Sequence, residues 1–216
     1  MKMVIIGATG FVGSAILKEA VRRGYTVTAL ARNTSAIAEA GSGVKAIDID
    51  VANEAALVDA IKGNDVVISA FNAGWTNPNL YNDYLTGARH IEAAVEKSGV
   101  KRLIVVGGAG SLNIDGRQLV DGPEFPAAYK AGALGARDYL THLKTTEKLD
   151  WSFFSPAIEM NPGINTGRTG HYRLGTDSPV FDAGGRSFLS VEDLAVVILD
   201  EAAQPAHVHK QFTAGY

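Results

Sequence analysis

The stretch MVIIGATGFVGSAI, residues 3–16, places three glycines between an apolar run and a helix-like run. The apolar run is typical of a buried β-strand, and the pattern after it is typical of an amphipathic helix. Gly7 suits a tight turn, Gly10 leaves space where a pyrophosphate would approach the backbone, and Gly13 lets the helix pack closely on the strand. The stretch therefore predicts the strand, turn and helix that open a nucleotide-binding βαβ unit.

The spacing of these glycines is G-x-x-G-x-x-G rather than the better-known G-x-G-x-x-G. N–H groups at the start of the helix would face the phosphates, and the helix dipole favours an anion there. The alternative is a glycine-rich turn that only packs. The strand before the turn and the helix after it favour nucleotide binding.

The composition of the chain excludes several classes of protein. It has 216 residues, 46% of them apolar and 20% charged, with a net charge of −3 and no cysteine. The absence of cysteine excludes disulfides, thiolate metal sites and a cysteine nucleophile. No basic surplus indicates nucleic acid, and no apolar run is long enough to predict a membrane span. We therefore expect a cytoplasmic protein with neither a nucleic-acid nor a membrane partner.

Strand-like and helix-like segments alternate along most of the chain. Continuous apolar strands in such an alternation predict an α/β fold, a doubly wound and mostly parallel sheet with helices on both faces. We expect one domain over 1–216, with a core over about 1–156 and a substrate-side segment over about 157–216. The predicted strands are 2–7, 25–32, 44–50, 65–71, 101–108 and 150–156, and the predicted helices are 13–24, 34–41, 53–63, 79–98, 127–148 and 190–203.

The remaining segments do not continue the alternation of strands and helices. Residues 109–126 carry three glycines and two prolines, which predicts a long loop. A hairpin is expected around GHYRL and SPVFD, residues 170–174 and 178–182. The stretch KQFTAGY, residues 210–216, is expected to be an edge strand.

The end of the second strand bears on which dinucleotide binds. NAD sites usually place an acidic residue there to hold the ribose 2′-hydroxyl, whereas this chain reads ALARN and offers Arg32. A guanidinium suits a 2′-phosphate and stacks on adenine. NADP is therefore favoured over NAD. The alternative is that Arg32 is a solvated loop charge.

Taken together, the motifs resemble a known family. GATGFVG, LARN, DIDV, VISAF and VVGGAGSL follow in order at the ends of the first five predicted strands, and FFSPA, RTGHYRLG, SVEDLA and FTAGY come later. The set resembles atypical members of the short-chain dehydrogenase/reductase superfamily, in particular the NmrA-like and NAD(P)H-binding group. That group includes NADH-flavin reductases and biliverdin reductase B, and its members are often named NAD-dependent epimerase/dehydratase. The resemblance spans nearly the whole chain and implies a Rossmann fold.

The resemblance implies a cofactor contact at the end of each strand. The implied residues are Thr9, Phe11 and Val12 at the pyrophosphate, Asp50 and Val51 beside the adenine, Ser69, Ala70 and Phe71 along the ribose, and Gly107, Gly108, Ser111, Ser155, Pro156 and Ala157 beside the nicotinamide. The alternative for Asp50 is a residue that caps the following helix. The alternative for Ser69 is a buried hydroxyl bonded to nearby backbone.

The catalytic pair of the superfamily, Tyr-x-x-x-Lys on one helix, is missing from this chain. None of the seven tyrosines has a lysine four residues later. Tyr129 and Lys130 are adjacent, so in a helix they point about 100° apart, although Tyr129 remains an isolated candidate donor. Reduction of a ketone needs a proton at the developing alkoxide. The missing pair therefore favours a flavin- or quinone-like acceptor, which delocalises charge, or no catalysis at all.

Four further residues are candidates at the acceptor. Ser111 occupies the place of the superfamily's catalytic serine, or else caps local backbone. Trp75 and Tyr81 follow the fourth strand and form either a stacking wall for a planar acceptor or an anchor for the next helix. His171 faces the substrate or lies on a surface hairpin. His207 and His209 have no third ligand in sight, so no metal site is predicted.

Two hypotheses of different class remain open, with a weaker third. The first is an NAD(P)H-dependent reductase of a small conjugated acceptor, and the second is a non-catalytic NADP(H)-binding redox sensor of the NmrA-like kind. A nucleotide-sugar epimerase or dehydratase is weaker, because it would require the Tyr/Lys pair and a larger substrate lobe. The long helices predicted at 79–98 and 127–148 could pair between subunits in a homodimer.

Overall fold

A computed structural model describes residues 1–37, 41 and 43–216. The strands are β1 Lys2–Ile6, β2 Thr26–Ala31, β3 Val44–Asp48, β4 Val66–Ser69, β5 Arg102–Val106, β6 Asn113–Ile114, β7 Arg117–Gln118, β8 Asp150–Phe154, β9 Arg173–Gly175 and β10 Lys210–Gly215. The helices are α1 Phe11–Arg22, α2 Glu54–Ile61, α3 Leu80–Ser98, α4 Ala127–Leu143 and α5 Val191–Ala203.

Eight of these strands form one sheet in the order β3-β2-β1-β4-β5-β8-β10-β9. All neighbouring pairs are parallel except β10 with β9. The first six positions have the strand order of the dinucleotide-binding doubly wound fold, in which the order reverses between β1 and β4. The predicted α/β class and Rossmann fold are confirmed, and the reversal marks the crevice where ligands bind in such sheets.

Both faces of the sheet are covered, which explains why its strands are continuously apolar. Met3 and Ile5 of β1 pack into a cluster with α1 and α5. The alternate residues Val4 and Ile6 pack into a second cluster with α2, α3 and α4. Successive residues of a strand point to opposite faces, so one short run serves both cores.

The carboxyl-terminal part of the chain differs from two expectations. Residues 210–216 do not form an edge strand, because β10 lies between β8 and β9. Its two faces are both buried, with Phe212 on one and Gln211 on the other, as expected of an interior strand. The predicted hairpin between 170–174 and 178–182 is also wrong. Residues Arg173–Gly175 pair with β10 instead, while Pro179 has no N–H to offer a ladder.

Helix ends follow the local sequence in two cases. The Asn53 side chain accepts a hydrogen bond from the Ala56 N–H at the start of α2. The Ser190 hydroxyl accepts one from the Asp193 N–H at the start of α5. These bonds satisfy helix-end donors that would otherwise be unpaired.

Three other segments depart from their expected lengths. The predicted helix at 127–148 ends at Leu143. Of the predicted helix at 34–41, the structure describes a single 3₁₀ turn over Ser35–Ile37, and most of the rest lies outside the described residues. The predicted loop at 109–126 holds two short 3₁₀ turns and the β6–β7 hairpin. No helix in the described ranges is long and apolar enough to cross a bilayer.

Candidate functional site

The glycine turn after β1 has little room for side chains at two of its three glycines. Gly7 has φ +78° and donates its N–H to the Leu30 carbonyl at 2.9 Å. A Cβ on Gly7 would lie 2.6 Å from the Ala70 carbonyl oxygen. A Cβ on Gly13 would lie 2.0 Å from the Gly7 carbonyl oxygen. Gly7 and Gly13 are therefore required by packing, as the sequence predicted.

Gly10 differs from the other two glycines of the turn, because a Cβ there would meet a single protein atom within 4 Å. Its nearest contact would be the Gly7 carbonyl oxygen at 3.3 Å, and Gly10 itself is exposed. The backbone of Gly10 has φ −74° and ψ 169°, a conformation that any residue can adopt. Neither packing nor backbone strain requires a glycine here, so the missing side chain leaves room for a ligand.

Helix α1 begins at this open position without a side-chain cap. The first helical hydrogen bond runs from the Ser14 N–H to the Gly10 carbonyl at 2.9 Å. The N–H groups of Phe11, Val12 and Gly13 precede that bond, and the first turn carries no acidic residue. Together with the open space at Gly10, this arrangement fits the pyrophosphate of a dinucleotide.

The ends of β2 and β3 carry charged residues side by side. Ala31 lies opposite Asp48 in the register, and exposed Arg32 follows directly. Asp48 accepts hydrogen bonds from the Thr34 N–H at 2.8 Å and from the Thr34 hydroxyl at 2.7 Å. The Thr34 hydroxyl lowers the pKa of Asp48. Sequence reasoning missed this pair, for which the only signal is an acid at the end of the third strand.

Asp50 is held by the turn that leads into α2. Its Oδ1 accepts from the Ala52 N–H at 2.9 Å, and its carbonyl accepts from the Asn53 N–H at 2.9 Å. Its carboxylate therefore serves the turn before α2, whereas the cap of that helix is Asn53. Val51 is half-buried and packs against the α3 side of the core.

Residues 69–71 reach the carboxyl edge of the sheet mainly through their backbone. Ser69 is buried, and the Ala70 N–H donates to the Ile6 carbonyl at 2.9 Å. The Phe71 ring stacks on Tyr84, with centroids 6.0 Å apart. A Cβ on Gly87 would lie 2.4 Å from that ring. The Phe71 side chain thus packs into the core and leaves its backbone beside the glycine turn.

The end of β5 is tied to the end of β8. The Gly107 N–H donates to the Phe154 carbonyl at 2.8 Å, and a Cβ on Gly107 would lie 2.0 Å from the Phe153 ring. Gly108 is less crowded, since a Cβ there would come no nearer than 3.8 Å, from Ala136. Packing therefore accounts for Gly107, while Gly108 has space beside it.

Ser111 lies inside a buried polar cluster that joins β5, β8 and β10. Its hydroxyl lies 2.8 Å from the Ser155 hydroxyl and 2.9 Å from the Gly108 carbonyl. Gln211 donates its side-chain N–H to Ser155 at 2.9 Å and to the Ser111 carbonyl at 3.2 Å. Ser111 is only 1% exposed. Its hydroxyl is therefore used within the protein, and Pro156 and Ala157, which follow Ser155, are buried. Sequence reasoning missed Gln211.

The aromatic residues near the carboxyl edge are paired differently from the prediction. Trp75 meets Tyr129, with centroids 5.5 Å apart and an angle of 84° between the ring planes. The Tyr81 hydroxyl instead donates to Asp138 at 2.7 Å, and that carboxylate raises the pKa of the Tyr81 phenol. Tyr81 thus links α3 to α4 within the fold. The partner of Trp75 lies 54 positions along the chain, beyond any local pattern.

Residues 162–170 cover the outer side of α1 and α5 and are held by two buried carboxylates. Asp193 accepts from the Gly170 N–H at 2.8 Å and from the hydroxyls of Thr169 and Tyr216, both at 2.6 Å. Glu19 accepts from Arg168 through Nε at 2.8 Å and Nη2 at 2.9 Å. The bond from Arg168 lowers the pKa of Glu19 to about 2.

A cavity of about 260 Å³ lies between this segment and the start of α1. It is lined by Phe11, Pro162, Ile164, Asn165, Gly167, Val191 and Glu192. His171 is not among them. It is exposed, with its N–H bonded to the Thr169 hydroxyl at 3.0 Å. The described residues hold no cluster of three or more metal-binding side chains.

Comparison with known proteins agrees with the geometry of the turn. A family model described as NAD(P)H-binding matches residues 7–205. The chain belongs to the NAD(P)H-binding family. The uncharacterized protein YwnB of Bacillus subtilis (strain 168) is 38% identical over 99% of this chain and 97% of its own length. Membership of the NAD(P)H-binding family makes a nicotinamide dinucleotide the class of cofactor.

Solved structures of similar proteins carry two different functional names. A Bacteroides thetaiotaomicron protein provisionally described as an epimerase is 42% identical, with a TM-score of 0.91 over 100% of this chain and 96% of that one. A Streptococcus pneumoniae protein provisionally described as an NADH-flavin reductase is 32% identical, with a TM-score of 0.87 over 100% and 99%. The fold and the cofactor class are thus consistent across these comparisons, but the similar solved structures differ in the chemistry that their names give.

Proposed function

We propose that this protein is an NAD(P)H-dependent reductase of a small conjugated acceptor, flavin- or quinone-like in its chemistry. The observation that carries the proposal is the open face at Gly10 on the uncapped start of α1. The cofactor-binding residues expected at the strand ends lie on the same edge of the sheet, and a relative at 32% identity is provisionally described as an NADH-flavin reductase.

The residues of the chain would act on the cofactor by binding and orienting it. The N–H groups of Phe11 and Val12 would hold the pyrophosphate, and Thr9 and Gly10 would leave it space. The backbone of Ser69–Phe71 and of Gly107–Gly108 would line the ribose and the nicotinamide. Reduced nicotinamide, when bound, supplies a hydride. Ser111 would act as a positioning residue, because its hydroxyl fixes the backbone of Gly108 at 2.9 Å.

The acceptor class follows from where the hydroxyl groups lie. The Ser111 hydroxyl is buried and bonded to Gly108 and Ser155, and Tyr129 has no lysine one helical turn away. Such a site gives little help to an alkoxide, which needs a proton as it forms. A conjugated acceptor spreads the negative charge over its rings and takes its proton from water. This supports flavin- or quinone-like acceptors over simple ketones and over sugar nucleotides.

We further propose NADP(H) as the preferred cofactor, with NAD(H) as the weaker ligand. Arg32 supplies the only side-chain charge in the segment ALARN that ends β2. The neighbouring Asp48 keeps its charge, because its bonds from Thr34 lower its pKa, and it would oppose the 2′-phosphate that Arg32 attracts. A cytoplasmic location and a homodimer remain predictions. Within one chain α3 and α4 already pack on each other, so a dimer through these helices would use their outer faces.

The test is NADPH and NADH oxidation with a panel of flavins and quinones. It is run beside Gly10→Val, the matched variant whose side chain would fill the space for the pyrophosphate. We expect steady turnover in the wild type, faster with NADPH, and none above background in the variant. Cofactor binding without turnover on any acceptor would overturn the reductase assignment and favour the NmrA-like sensor. Turnover of a sugar nucleotide would favour the epimerase assignment.

A further inference from the structure

Trp75 and Tyr129 form an aromatic corner at the carboxyl edge of the sheet. They are two of the large apolar residues that remain solvent-exposed, at 58% and 54%. Trp75 follows β4 by six residues and Tyr129 is the third residue of α4. The two ring planes meet at 84°. A planar ligand stacked on one ring would therefore meet the other ring at its side.

Hydrogen bonds within the loop that carries Trp75 hold the loop in a conformation that leaves the indole exposed. The Gly74 N–H donates to the Asn72 side chain at 2.7 Å, and the Asn77 N–H donates to the Gly74 carbonyl at 3.0 Å. The Asn77 side chain also donates to Asp83 on α3 at 2.8 Å. These bonds fix the loop before any ligand arrives, so little ordering entropy is lost on binding.

One side of the indole packs against helix α4. A Cβ on Gly132 would lie 3.0 Å from the six-membered ring of Trp75. Glycine is thus the residue that lets the six-membered ring of the indole approach the helix so closely. An indole that served only to anchor the loop would be covered, whereas this one keeps more than half of its surface in solvent.

We infer that the Trp75–Tyr129 corner is the binding platform for the acceptor, and that it selects planar fused-ring compounds by stacking. The inference rests on the proposed reductase function for its ligand, and it assigns Tyr129 a role through its ring rather than through its hydroxyl. Aromatic stacking on flat ring systems is worth about 1–3 kcal/mol per ring system, which corresponds to about 5–150-fold in affinity.

The first test measures binding without turnover. Trp151 is the other tryptophan and is 1% exposed, so a Trp151→Phe background leaves Trp75 as the reporter. A fused-ring naphthoquinone is titrated in the presence of NADP⁺, and its Kd is obtained from Trp75 emission. We expect Tyr129→Leu to raise this Kd at least fivefold and Tyr129→Phe to leave it unchanged. Circular dichroism checks the fold of each variant.

The second test measures turnover in the natural background. Trp75→Ala and Tyr129→Leu should each raise KM for fused-ring acceptors at least fivefold. KM for single-ring quinones and the Kd for NADPH should stay within twofold of the wild-type values, and kcat should stay within threefold. Phe181→Ala is the matched control, because Phe181 is 42% exposed and lies outside the corner. Its KM values should not move.

The two possible failures give different results. Turnover with an unchanged KM in Trp75→Ala, or an equal rise in Phe181→Ala, would overturn the stacking platform and leave the reductase function intact. A naphthoquinone Kd that rises in Tyr129→Leu, with no turnover in the wild type, would support the platform and overturn the reductase function. A large loss in Tyr129→Phe alone would overturn the ring assignment in favour of a proton donor.

Discussion

Asp48 lies directly opposite Ala31, the last residue of β2, in the pairing of β2 with β3. Arg32 is the next residue after Ala31, so the loop that follows β2 begins beside a carboxylate. Thr34 binds that carboxylate through both its N–H and its hydroxyl. The loop after β2 is therefore fixed on one side by an acid that is already engaged, and Arg32 stands on the exposed rim of the same loop.

Arg32→Asp should discriminate between the two cofactors. The loss of a charge-assisted bond to the 2′-phosphate should weaken NADPH binding by about 1.5–3 kcal/mol, while NADH binding stays nearly unchanged. Isothermal titration of both cofactors measures the difference, with Arg89→Asp, at an exposed position of α3, as the control. Equal losses for NADPH and NADH, or tighter binding of NADH to the wild type, would contradict the assignment.

Gly10→Val should abolish cofactor binding without unfolding the protein. The new side chain would occupy the space open to the pyrophosphate, where two or more charge-assisted hydrogen bonds are at stake, and binding should weaken by about 3 kcal/mol or more. Because Gly10 already has an ordinary backbone conformation, Tm should stay close to the wild-type value. Titration calorimetry and a thermal melt provide the two measurements.

Gly13→Ala is the paired variant, and it should lower the stability of the fold, which Gly10→Val should not. Its Cβ would lie 2.0 Å from the Gly7 carbonyl oxygen, so α1 must move away from the turn. Overpacking of this kind costs about 1–3 kcal/mol or more, and Tm should fall. If Gly10→Val lowered Tm as much as Gly13→Ala, the open face at Gly10 would not be a ligand site.

Glu19→Gln should destabilise the protein in a pH-dependent way. The pKa of Glu19 lies at about 2, below its ordinary value of 4.5, so its stabilising effect is complete above about pH 5 and is lost as the pH falls toward 2. At pH 7 the variant should lose about 1–3 kcal/mol of unfolding free energy. Urea melts between pH 3 and 7 should show the difference shrinking on the acid side. A constant difference across that range would contradict the ionic role.

Ser111→Ala should reduce stability more than it reduces turnover. Its hydroxyl joins Ser155 and Gln211 in a buried cluster, and a buried polar group left without a partner costs about 1–3 kcal/mol. The rate with a conjugated acceptor should change less than tenfold, since the hydroxyl is not exposed. A rate loss above a hundredfold with an unchanged Tm would instead indicate direct contact with the acceptor.

The sequence was sufficient for the central part of the fold because its signals are local. Apolar runs, caps such as Asn53 and Ser190, and the glycine spacing each act within a few residues. The position of β10 was not predictable in this way. Its pairing with β8 and β9 depends on cores built from segments far away in the chain, and alternation within KQFTAG does not show that both faces are covered.

The same distinction applies to the candidate site. The glycine turn was predicted because strand, turn and helix are contiguous. The pairing of Trp75 with Tyr129, the bond from Arg168 to Glu19 and the contact of Gln211 with Ser111 join residues 54, 149 and 100 positions apart. No local pattern encodes such partners, since they depend on how helices and strands are placed relative to one another.

The placement of β10 between β8 and β9 has a consequence for the order of folding. β9 precedes β10 in the chain but has no partner on β8, so it cannot join the sheet until β10 has docked. Until then β8 presents an open parallel edge, which is a template for pairing with other chains. Contacts between segments so far apart also slow folding. We expect refolding at high protein concentration to be limited by aggregation through β8, and the yield to recover on dilution.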